Sequence, residues 1–271
     1  MNLRLTHLMV FFLFFAFSSC ATVKNKSDLG IKKIVDIEVD KLGDYYTVDT
    51  RGNILKYSNS VKVYSYSNFN AGKLAALDVS NPHKILLFYK EQQIIVLLDN
   101  SLSEIGAINL DNKSFFSAAG MANDGNIWLY DSYLYKLKKI DKSGRIIDES
   151  FPTGSITPED IIDAKIIDRD NYVIIADKNK GILLFNNLGY FEKSLNIKDV
   201  SKPTIIKDKL YYYNPKENCF VSMQLNLFAE KNKLCFDSFN LKSQLVIYEN
   251  EKFYLLKDKE VLVYDKKYFE N

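Results

Sequence analysis

The sequence predicts an all-β protein, a six-bladed β-propeller of four-stranded antiparallel blades, on three observations. Short apolar strands recur in pairs, with a period near 40 residues along the body of the chain. The strands are aromatic and β-branched, with 18 Tyr and 18 Phe against 11 Gly, a composition that suits a pleated surface. No segment carries the 3.6-residue amphipathic spacing over ten or more residues that a helical repeat of similar period requires.

The first element is a leader. Arg4 precedes an unbroken apolar run, Leu8 to Phe17, followed by Ser18, Ser19 and Cys20, the charged, apolar, small-residue order of a secretory signal. Ten residues are half of the roughly 20 that a spanning helix needs, and no later apolar run exceeds five. Ser18-Ser19-Cys20 resembles the bacterial lipoprotein processing site, although Phe17 stands where an aliphatic residue is usual. The resemblance implies that residues 1–19 are removed, that Cys20 becomes the acylated N-terminus, and that several acyl chains such as palmitate hold the protein on a membrane. A plain secretory signal with Cys20 merely nearby is the other reading. Residues 20–30 then form the lipidated Cys and a polar tether. Lys24 and Lys26 make this tether basic, which favours the periplasmic side of an outer membrane over export to the cell surface.

Residues 31–271 are read as the single propeller domain. Six segments align, starting at Tyr45, Ile85, Ile127, Tyr172, Leu210 and Phe253, with spacings of 40, 42, 45, 38 and 43 residues. Each repeat reads as four strands of rising polarity. The inner strand is variable, as in Ala75–Val79, Ile161–Ile167 and Leu245–Tyr248. The second is almost wholly apolar, as expected of a strand covered on both faces. The third, as in Ile182–Phe185 and Val261–Tyr264, is mixed. The outer strand, as in Arg145–Ser150, Tyr190–Asn196 and Phe228–Leu234, is the most polar, which protects an exposed edge from pairing. The last repeat ends soon after Tyr264, so residues near Ile31–Ile34 are expected to supply its outer strand and close the ring. An extended sandwich is the main rival, but it does not require a regular period.

Turn-strand elements such as Asn123-Asp124-Gly125-Asn126-Ile127 and Asp141-Lys142-Ser143-Gly144 resemble those of six-bladed propellers of the NHL/TolB-like group, particularly bacterial propeller lipoproteins. That resemblance implies the fold and names no activity.

Composition narrows the function classes. A chain that is 47% hydrophobic and 26% charged is not disordered, and 36 Lys+Arg against 34 Asp+Glu leave +2, a poor match to nucleic acid. After the leader, the single histidine is His83, placed by Pro82 in a turn, and no Ser-His-Asp set or zinc set surrounds it. Asp168, Asp170 and Asn171, like Asn123 and Asp124, read as turn formers rather than calcium ligands. Gly120 and Gly125 lack the helix that a phosphate loop requires. No catalytic residue, metal site or cofactor is assigned, although paired carboxylates could still assemble across blades.

Cys219 and Cys235 flank the hairpin of the fifth repeat. A turn at Leu227 puts them opposite one another, and a turn at Leu225–Asn226 puts Cys219 opposite Asn232, so a disulfide and two free thiols both stay open. Candidate partner-binding residues lie in the short charged hairpins between second and third strands: Arg51, Asp177, Lys178, Lys180, Lys216 and Lys257. The longest loop, Phe151 to Glu159, contributes Phe151, which could join Phe115 and Phe116 in an apolar contact patch. The reading these features favour is a non-catalytic, lipid-anchored, periplasm-facing accessory subunit of an outer-membrane complex such as a translocon or uptake machine. The alternative is a glycan- or peptide-binding, even hydrolytic, propeller that uses its central funnel. The sequence names no small-molecule ligand.

Overall fold

The computed structural model describes residues 33–111, 113–153, 161, 164–225, 231–239 and 241–269. The leader, Cys20 and the tether lie outside these residues. Among the described residues no helix is long and apolar enough to cross a membrane.

Among the described residues, 23 strands form six antiparallel meanders. Blade one is β1 (Ile34–Val39), β2 (Tyr45–Asp49), β3 (Ile54–Ser58) and β4 (Val61–Tyr66). Blade two is β5 (Ala76–Asp78), β6 (Ile85–Tyr89), β7 (Ile94–Leu98) and β8 (Glu104–Asn109). Blade three is β9 (Phe116–Met121), β10 (Ile127–Asp131), β11 (Lys136–Ile140) and β12 (Ile146–Glu149). Blade four is β13 (Ala164–Arg169), β14 (Tyr172–Asp177), β15 (Gly181–Asn186) and β16 (Phe191–Leu195). Blade five is β17 (Ser201–Ile206), β18 (Lys209–Asn214), β19 (Cys219–Gln224) and β20 (Lys231–Cys235). Blade six is β21 (Leu245–Glu249), β22 (Lys252–Lys257) and β23 (Glu260–Asp265). The second strands start within a residue of the six aligned positions, so the repeat in the sequence is the blade.

The apolar residues form six clusters, one in each seam between neighbouring blades. Period-two alternation explains this. Along β6, Ile85, Leu87 and Tyr89 face blade one, while Leu86 and Phe88 face blade three. Outer strands carry the opposite signature, with β12 exposed along its length.

Ile34 does not complete the last blade: it pairs with Asp49 as the innermost strand of blade one, and residues 31–32 lie outside the described set. Among the described residues blade six has three strands. Closure comes from an apolar seam in which Ile34, Ile37, Val39 and Tyr45 pack on Ile247, Tyr254 and Leu256. A 3-10 turn, Lys266–Phe269, follows β23, and Phe269 packs its edge against Phe236, Phe253 and Phe239. These aromatic contacts belong to the seam between blades five and six.

Local chemistry sets the turns. In the hairpins between third and fourth strands, Asp99, Asp141 and Asn186 each accept two backbone N–H bonds through one Oδ1, from positions two and four residues on. Gly120 is required for a different reason. A Cβ there would lie 2.6 Å from the Ile166 carbonyl oxygen, so only glycine lets β9 approach β13 this closely. In blade five, Cys219 pairs with Cys235 across β19 and β20, their Cα atoms are 4.0 Å apart, and a disulfide joins them.

Candidate functional site

In a meander, hairpins between second and third strands and the links between blades share one end of the ring. Hairpins between first and second strands share the other end with those between third and fourth. Arg51, Lys178, Lys180, Lys216 and Lys257 therefore lie at one face, here called the hairpin face. Arg51 is half-exposed and sits 3.7 Å from Asp49. Lys178, Lys180 and Lys257 are exposed, and Lys216 pairs with Asp199 at 2.8 Å. Asp177 leaves the contact set. It is 4% exposed, and its Oδ1 accepts the N–H groups of Asn179 and Lys180, so it shapes the hairpin instead of meeting a partner.

Phe116 leaves the set for a similar reason, since it is buried in the seam between blades two and three. Its neighbours form a patch that the sequence reading found only in part. Phe115, half-buried, stacks on Tyr133 with ring centroids 5.8 Å apart. Ser132 donates its N–H to the Phe115 carbonyl, and Thr153 donates its N–H to the Tyr135 carbonyl, so three segments are drawn together. Tyr133 is 66% exposed, Leu134 49% and Phe151 78%. The missed signal was a contrast between repeats: the third hairpin carries Tyr133 and Leu134 where the other five are charged or polar. His83 is an exposed turn residue whose N–H bonds Asn81.

The inner strands surround an axial channel, and charged side chains cross it. Lys165 on β13 reaches Glu38 on β1 at 2.5 Å, joining blades on opposite sides of the ring. Lys202 on β17 bonds Glu38 at 2.8 Å and also pairs with Asp36. Lys202 has φ of 48°, at an irregularity of β17 between Ser201 and Thr204 and just before Pro203. Left-handed backbone is strained for a lysine, and the bulge re-aims its side chain into the channel. Nearby, Arg169 holds Glu249 through both Nη atoms at 2.6 and 2.8 Å and donates to Thr204 at 3.1 Å, tying blades four, five and six.

Burial favours the neutral form of each carboxylate. For Glu38 the ammonium groups of Lys165 and Lys202 overrule it, and its pKa falls below the ordinary value. For Asp36, open to the channel rather than to bulk water, burial prevails over Lys202 and the pKa rises, with Glu38 adding to the rise. Burial lowers the Lys202 pKa, but Asp36 and Glu38 more than reverse that and hold it above the usual lysine range. Asp168 is also pushed up by burial, against the hydrogen bonds it accepts from Trp128 Nε1 at 2.8 Å and from Asn123.

The crossing ion pairs divide the channel into two chambers. The one toward the hairpins between first and second strands is about 210 Å³, lined by Asp78, Asp168, Arg169 and Glu249. Its carboxylates are engaged. Asp78 accepts the Met121 and Ser80 N–H groups, Asp168 accepts from Trp128, and Glu249 binds Arg169. The chamber open to the hairpin face is about 400 Å³, with Lys73, Lys90 and Lys178 among its lining residues. Among the described residues no group of three or more His, Cys, Asp or Glu could hold a metal ion.

No protein-family model and no curated protein matches this sequence. Solved structures do match in fold. A streptogramin B lyase aligns with a TM-score of 0.59 at 15% identity, over 87% of this chain and 83% of its own. A catalytically inactive virginiamycin B lyase from Staphylococcus aureus, with quinupristin, aligns at 0.58 and 14% over 87% and 85%. The Pan2 WD40 domain of Neurospora crassa aligns at 0.59 and 11% over 89% and 77%. Such identities establish the propeller and carry no activity across.

Proposed function

We propose that the protein is a non-catalytic interaction scaffold, moored by acyl chains on Cys20 and serving as a periplasm-facing accessory subunit of an outer-membrane complex. The mooring is supported by the order of Arg4, the apolar run 8–17 and Ser18-Ser19-Cys20. The scaffold reading rests on one observation, the aromatic patch of Phe115, Tyr133, Leu134 and Phe151 raised on a rigid ring at the hairpin face. Exposed aromatics gathered on hydrogen-bonded loops match the anchors of protein interfaces. The engaged channel carboxylates and the surface position of His83 favour this reading over the hydrolytic one.

The test is a photo-reactive amino acid at Phe151, Tyr133 or, as a control, exposed Ile146 on β12, in the native host. Crosslinking of one membrane protein from the first two positions, and none from the third, is expected. Labelling of soluble protein released without detergent sinks the mooring. Equal labelling from all three positions sinks the docking face.

A further inference from the structure

The two axial chambers differ in a way that points to a ligand. At about 400 Å³, the chamber open to the hairpin face falls in the size range of small-molecule sites, and the other, about 210 Å³, falls below it. We infer that the larger chamber binds a small organic anion with an apolar body.

Charge comes first. At the floor, Lys165 and Lys202 are matched by Glu38 and Asp36, so the floor is close to neutral. At the rim, Lys73, Lys90 and Lys178 face the single carboxylate of Glu91. Lys73 and Lys178 are exposed and have no ion-pair partner among the described residues. The excess positive charge therefore sits where a ligand enters, and a concave mouth concentrates its field on anions. A metal cation or an amine meets repulsion there.

The walls select the rest of the ligand. Ala75, Ala76, Ala164 and Ala176 line the chamber together with Leu74 and Phe88. Alanines leave the space that larger side chains would fill, and together with Leu74 they offer carbon surface to an apolar body, while Phe88 is fully buried behind them. One polar group among them is unmet. Ser117 lines the chamber at 4% exposure, and its hydroxyl oxygen is buried with no hydrogen-bond partner among the described residues. An oxyanion at the rim lysines with a hydrocarbon or aromatic body against the alanines fits both the charge and the walls.

The probe is 8-anilinonaphthalene-1-sulfonate, a sulfonate on an aromatic body whose fluorescence rises on burial, with neutral N-phenyl-1-naphthylamine as its uncharged counterpart. Saturable binding of the sulfonate, tighter than that of the neutral amine and weakened by salt, is expected. The double variant Lys73→Glu/Lys178→Glu should weaken it at least about tenfold. Ala164→Leu, which fills the chamber from a half-exposed position, should do the same, and Phe151→Ser should leave it unchanged. The lysines are solvent-exposed, so their reversal tests the site without threatening the fold, and circular dichroism checks each variant. No saturable binding, equal affinity for the neutral amine, binding that survives the charge reversal, or binding lost with Phe151→Ser each overturns the site.

Discussion

Two seams of the ring are built to different plans. Between blades three and four the join is polar as well as apolar. Trp128 is fully buried, donates to Asp168 across the seam at 2.8 Å and carries the Lys139 ammonium 4.3 Å above its ring. Asn123 adds two bonds to the same carboxylate, and Gly120 lets the backbones close up. Between blades six and one the join is an apolar cluster with two side-chain bonds to backbone, Asn250 to the Lys41 carbonyl at 3.0 Å and Tyr254 to the Gly43 carbonyl at 3.4 Å. An internal seam is held by chain connectivity on either side, whereas the closing seam joins the two ends of the described chain. With no shared strand there among the described residues, the axial ion pairs take over part of the latch, because Glu38 on blade one is gripped from blades four and five.

The largest effect is expected at the polar seam. Trp128→Ala removes a fully buried indole and the donor that Asp168 was accepting, and should cost about 3–5 kcal/mol in denaturant unfolding. A loss below 1 kcal/mol would mean that the seam is held by its aliphatic residues alone.

The axial latch comes next. Glu38→Gln leaves Lys165 and Lys202 without their shared carboxylate and should cost about 1.5–3 kcal/mol at neutral pH. The pH dependence has a defined sign. Glu38 has a lowered pKa, so its contribution is complete at neutral pH and is lost as pH falls below about 4.3, through the depressed folded value. Asp36 acts oppositely, because its raised pKa favours the fold at low pH and that benefit fades as pH rises through the folded value. Subtracting the variant's stability curve from that of the parent gives the contribution of Glu38 together with its effect on Asp36. The difference should shrink toward acid, and a flat difference from pH 3 to 7 would show that the pair does not latch the ring.

The smallest effect is expected at the apolar closure. Tyr254→Phe removes one long hydrogen bond and no apolar packing, so the cost should stay under about 1 kcal/mol. For a ring of this size that shifts the thermal midpoint by at most about 2–4 °C. A larger shift would make the closing seam as polar in its energetics as the seam between blades three and four.

The candidate site was legible in part. The hairpin lysines were visible as charges between paired strands, and Phe151 as an aromatic in the longest loop. Asp177 was misjudged because the same carboxylate can face solvent or lock its own hairpin, and only the backbone path distinguishes the two. Tyr133 and Leu134 could have been read from the departure of their hairpin from the other five. The chambers could not, because their lysines, alanines and Ser117 come from blades far apart in sequence.

The chain's own residues determined the blade count, the strand positions and the turns. Those depend on period-two burial and on short-range bonds such as the ones Asp141 makes to its own loop, and both act over a few residues. Folding in three dimensions decided how the ring closes, which carboxylates are neutralised and where empty space remains. Lys165 meets Glu38 across the axis from 127 positions away, and no local rule in a sequence encodes a distance set by six blades packing side by side.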